Sequence, residues 1–134
     1  FFAGAPIETV RAMPLGRPEQ RAACPDNATI QLGFADGSTG TIHYLANGDR
    51  GFPKERLELF AGGRILRLDN FRLLEGWGFG AFRRKRSWKQ DKGQQACAAA
   101  FIDAIRTGGS APVALDEIIE VSRASIEAAA LLRE

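Results

Sequence analysis

Short alternating segments joined by two-residue turn signals constrain this chain more than any other feature. Ala35-Asp36-Gly37-Ser38 separates residues 27–34 from residues 39–46. Gly62-Gly63 separates residues 56–61 from residues 64–69, and Asp69-Asn70 precedes a run over 71–75. In 27–34, Ile30, Leu32 and Phe34 share one side and Thr29 and Gln31 the other; Leu57, Leu59 and Ala61, then Leu66 and Leu68, repeat the period of two. Turns this tight join only antiparallel neighbours, so the spacing predicts a meander. Residues 7–13 are expected to open it and residues 79–84 to close it, with a proline-bearing surface loop over 14–25.

The period then changes. Asp91-Lys92-Gly93-Gln94 has the pattern of a capping box, with Asp91 at the N-cap. Cys97, Phe101, Ala104 and Ile105 follow at helical spacing, and Gly108-Gly109 is a stop signal. Beyond Pro112, the set Leu115, Ile118, Ile119, Ser122, Ile126, Ala129 and Ala130 marks a second amphipathic helix. Asp116 and Glu117 suit the dipole of its first turn. Strands first and helices last give an α+β class: one open, mostly antiparallel sheet with helices packed on one face. His43, Tyr44, Leu45 and Ala46, like Phe71, Leu73 and Leu74, put bulk on both faces. The second face is therefore expected to be available for oligomerisation, making a homo-oligomer.

Length and composition bound the function. The 134 residues fit one domain spanning 1–134, and 45% apolar with 25% charged residues is the balance of a globular chain. A net charge of +2 is small for a nucleic-acid binder and argues against that partner. Cys24 and Cys97 lack metal-ligand spacing; two free thiols in a reducing compartment are favoured over a disulfide, and the expected location is cytoplasmic. No apolar run approaches the ~20 residues of a membrane span, and no basic leader stands at the start. A start on Phe1-Phe2 reads as cut from something longer.

Candidate chemistry is sparse. His43, the single histidine, has no carboxylate beside it to orient a general base, so a cross-strand role is expected. Gly76-Trp77-Gly78-Phe79-Gly80 lacks the spacing and the following helix of a dinucleotide turn; close backbone approach explains it better. Arg83-Arg84-Lys85-Arg86-Ser87-Trp88-Lys89 sets cations beside a stackable ring. That run supports a rival reading, a stand-alone module binding a polyanion or nucleic acid, against the plainer one of a solvated strand end.

The stretch "FADGSTGTIHYLANGDRGFPKERLELFAGGRILRLDNFRLLE", followed by "QDKGQQACAAAFIDAIRTGG" and "LDEIIEVSRASIEA", resembles the C-terminal domain of the glucose–fructose oxidoreductase / inositol dehydrogenase family (Gfo/Idh/MocA). The opening "FFAGAPIETVRAM" is similar to the segment that leaves that family's interdomain helix, so the likeness covers nearly the whole chain. It implies a parent with an N-terminal Rossmann domain, absent here, that binds NAD or NADP and supplies the catalytic Glu-Lys-Pro. No catalytic, cofactor-binding or metal-binding residue carries over to this chain. The variant behind a zinc-type alcohol-dehydrogenase-like module is the nearest in pattern. The implied role is a substrate-pocket wall and an oligomer interface for an oxidoreductase acting on a sugar or polyol derivative. In that role Asn47, Asp49, Lys54 and Arg56 are the candidates to meet substrate hydroxyls, because amide and charged groups satisfy such donors and acceptors together.

Overall fold

The computed structural model describes residues 2–17, 19 and 26–133. Cys24 and most of the expected loop over 14–25 lie outside the described residues. The fold is α+β, and every strand pair is antiparallel. One expectation is corrected: the strands form two sheets, of three and four strands, in place of one. The chain correspondingly divides into two compact units, one running to Gly48 and resuming at Ser110, the other spanning Asp49–Gly109.

In the first unit, β1 (Ile7–Pro14), β2 (Asn27–Phe34) and β3 (Thr39–Leu45) lie in that order. Val10 pairs with Leu32 and Ala12 with Ile30, while Ile30 pairs with Ile42 and Ala28 with Tyr44. Apolar side chains thus share one face across three strands. A register shift between Ile7 and Thr9 makes Glu8 a bulge, which returns Ile7 to that face opposite Phe34. The Asp36-Gly37 turn closes β2 onto β3 as its sequence demands, with the Gly37 N–H donating to the Phe34 carbonyl at 2.9 Å. Helix α2 (Leu115–Leu131) packs against β1, where the Glu120 carboxylate accepts the Ile7 N–H at 2.8 Å. Among the described residues of this unit, Ala28 and Ala128 are the buried apolar ones and Asn27 the buried polar one. Ile42 and Tyr44, on the same apolar face but on the outer strand, stay about half exposed.

In the second unit the order is β4 (Arg56–Ala61), β5 (Arg64–Asp69), β6 (Leu73–Trp77) and β7 (Arg84–Arg86). Register places Leu57, Leu59, Leu66, Leu68, Leu74 and Gly76 on one face. Arg56, Glu58, Arg67, Asp69, Glu75 and Arg84 lie on the other. The closing strand is shorter and later than the expected 79–84, because Phe79 and Phe82 leave the ladder to fold back over Gly76. Their rings meet edge to face at 6.4 Å. Helix α1 (Gln94–Thr107) buries none of its residues. Asp91 does not cap it, another correction: its Oδ1 accepts the Gly93 N–H at 2.9 Å, and Gly93 itself holds the N-cap position in the left-handed region. An Asx turn one step early takes the carboxylate the helix end would have used. Gly108 closes α1 as expected, its N–H directed to the carbonyls of Ala104 and Ile105. Among the described residues no helix is long and apolar enough to cross a membrane.

Candidate functional site

The loop entering β4 carries two of the four candidate residues, Asp49 and Lys54, and Arg56 opens the strand itself. Asp49 turns its carboxylate inward: Oδ1 accepts the Gly51 N–H at 2.7 Å, and its carbonyl accepts the Phe52 N–H at 3.1 Å. Lys54 is exposed and its ammonium enters no hydrogen bond or ion pair among the described residues. Arg56 stands 3.6 Å from Asp69, its cross-strand partner. Asn47 belongs to the first unit, where its N–H and that of Ala46 both donate to the buried Asn27 Oδ1, at 3.3 and 2.8 Å. The side chain of Asn27 thereby satisfies the two amides that follow the end of β3. Of the four, Lys54 and Asn47 keep side-chain polar groups with no partner among the described residues, and Lys54 is the charged one.

Sequence reasoning missed the cluster behind this loop. Glu55, within the Lys-Glu-Arg strand entry, pairs through its carboxylate with the Lys92 ammonium, 37 residues away. Gln90 Nε2 donates to Asn70 Oδ1 at 2.9 Å and to the Asn70 carbonyl at 3.2 Å. The Asn70 N–H in turn donates to the Glu55 carbonyl at 2.7 Å, and Lys92 sits 5.7 Å from the Phe71 ring centroid. These contacts tie the β4 entry, the β5–β6 turn and the segment before α1 into one polar staple. No local pattern announces a pair so distant in sequence; the signal present was the unexplained Glu55 between two cations.

Across the charged face, Glu58, Arg67, Glu75 and Arg84 stand side by side on four strands, alternating in sign. Arg67 donates to Glu75 Oε2 at 2.5 Å, and that bond raises its pKa above the ordinary guanidinium value. Its guanidinium also lies 5.5 Å from the Trp77 ring centroid. His43 Nδ1 is 3.0 Å from Thr29 Oγ1, the residue directly opposite on β2, which is the expected cross-strand role. Gly76 is the close approach expected of the glycine–aromatic stretch: a β-carbon there would stand 2.8 Å from Phe82.

Two concavities among the described residues bear on the site. One, of about 470 Å³, lies between β1 and α2, floored by Ile7, Val10 and Ile119 and rimmed by Glu8, Glu120 and Arg123. The other is a depression on α1 between Ala99 and Arg106. Neither contains a candidate substrate residue, and no group of His, Cys, Asp and Glu side chains among the described residues has the geometry of a metal site. In comparisons with known proteins, no family model, curated protein or solved structure matches the chain.

Proposed function

We propose that this chain is the substrate-covering and oligomerisation domain of a cytoplasmic NAD(P)-dependent oxidoreductase acting on a sugar or polyol derivative. Hydride chemistry would reside on a Rossmann domain elsewhere in the parent. The observation that supports this reading is where the resembling motifs fall. Phe-x-Asp-Gly-Ser sits at the β2–β3 turn and Pro-Lys-Glu-Arg at the entry to β4. Gly-Gly lies at the β4–β5 turn, Asp-Lys-Gly just before α1, and the second Gly-Gly at the end of α1. A motif set spread through a chain and landing each time on a turn or an element end is what a shared backbone path requires. Lys54, an exposed loop cation with no partner among the described residues, is the residue this reading assigns to a hydroxyl-bearing ligand.

Calorimetric titration of the isolated chain with NAD(H) and NADP(H) is expected to show no binding at sub-millimolar concentration; binding there refutes the assignment. In the parent enzyme, Lys54→Ala is expected to lower kcat/KM for the sugar or polyol about tenfold, the worth of one charged hydrogen bond, while cofactor affinity holds.

A further inference from the structure

The net charge of +2 conceals a segregation. Residues 72–90 hold six of the eighteen Lys and Arg residues and one of the sixteen Asp and Glu residues, so the remainder of the chain is net negative. The one acid in that stretch, Glu75, is engaged by Arg67. The cations collect on β7, the outermost strand of its sheet, and in the turn that follows. All three residues of β7 are exposed, and the side chains of Arg84, Lys85, Arg86 and Lys89 enter no hydrogen bond or ion pair among the described residues.

Strand geometry sorts them. Arg84 lies opposite Glu75 and Arg86 opposite Leu73, so the two arginines share the charged face about 7 Å apart along the strand. Lys85, opposite Leu74, points to the leucine face. Immediately beyond, Trp88 is 90% exposed, more than any other large apolar side chain described. Its backbone is held while its ring is free: the Arg72 guanidinium donates to the Trp88 carbonyl at 2.9 Å, and the Ser87 N–H donates to the Arg72 carbonyl at 2.7 Å. This fixing sets a further cation, Arg72, against the Trp88 backbone.

An indole of this size left in water, anchored through its backbone and set at the end of a cationic strand, has no packing purpose within the unit. We propose that Arg84, Arg86, Lys89 and Trp88 form a track for single-stranded nucleic acid, with phosphates on the cations and a base stacked on Trp88. This goes beyond the oxidoreductase reading and does not depend on it. Single-strand sites of this kind pair a cationic path with an aromatic platform and tolerate any base sequence.

The test is fluorescence anisotropy of the full chain with a labelled oligothymidylate of about twelve nucleotides. Binding at low salt is expected, with log K falling against log salt at a slope of about −2, as for three phosphate contacts on a single strand. Trp88→Ala is expected to weaken binding about tenfold, with Trp88→Phe recovering most of it. Arg84→Ala and Arg86→Ala should each weaken it several-fold, and Lys85→Ala should leave it unchanged. All these side chains are exposed, so unchanged circular dichroism is expected throughout. Absence of binding at low salt overturns the proposal. So does an equal loss from Lys85→Ala, or affinity indifferent to Trp88, with heparin competing as a simple counter-charge: either result means diffuse adsorption of polyanions in place of a track.

Discussion

A β-carbon built on Gly76 would lie 2.8 Å from the Phe82 ring, closer than real side-chain contacts allow, and 3.1 Å from Phe79, which is tight. The glycine therefore sets where the two rings can rest on the leucine face. Gly76→Ala is expected to destabilise the second unit by about 2 kcal/mol through overpacking, read as a lower denaturant midpoint. In a Phe82→Ala background the same substitution should cost far less, the coupling marking the contact as the cause. Asp36 offers a second residue-level test. Its carboxylate accepts the Ser38 backbone N–H at 2.9 Å and the Ser38 hydroxyl at 2.8 Å, and these bonds hold its pKa below the usual 3.8, the backbone bond contributing most. A depressed carboxylate pKa favours folding above its unfolded value, and that contribution is lost as pH falls through the folded one. Carboxyl titration by NMR should find Asp36 below 3.8, and Ser38→Ala should move it only part of the way back, because the backbone donor remains.

The β4–β5 hairpin shows how turn chemistry acts at the scale of an element. Gly62 and Gly63 have φ of 54° and 72°, and a β-carbon on either would meet open space, so conformation alone decides what they tolerate. Gly63→Ala is expected to cost about 1 kcal/mol, whereas Gly62→Asn, which creates the Asn-Gly pair such turns prefer, should be near neutral. Thermal melts of the two variants separate the cases. Legibility followed the same physics. The bounds of β2, β4 and β5 and the start of α2 were readable because each rests on a local signal: alternation, a tight turn, acidic residues in a first turn. The β7 strand was misplaced because nothing local says that Phe82 prefers the surface of Gly76 to the ladder. The Asp91 cap failed because its carboxylate is engaged by the Gly93 amide, which an Asx turn places two residues on. Within the candidate loop, Asp49 and Lys54 were legible as polar loop residues. The Glu55–Lys92 staple was not, being a contact across 37 positions. The division of strands between two sheets likewise has no mark in the alternation, which reads the same in either arrangement.

Taken whole, the molecule leaves much apolar surface in water. Phe101, Ile102 and Ile105 on α1 are more than half exposed, as are Val121 and Ile126 on α2 and Phe60 on β4. Surfaces of this kind mark association sites, and sedimentation is expected to show self-association at tens of micromolar; a strict monomer would count against the oligomerisation role proposed above. The row Glu58, Arg67, Glu75, Arg84 has a consequence for how the second sheet assembles. Sliding β4 against β5 by one position turns leucines outward; sliding by two sets Glu58 against Asp69 or Arg56 against Arg67, like facing like. A two-position misalignment therefore carries an electrostatic penalty that the correct pairing escapes, so the charges of β4 and β5 proofread the pairing of their own strands. Concentrated salt, by muting that penalty, should let mispaired hairpins persist longer during refolding.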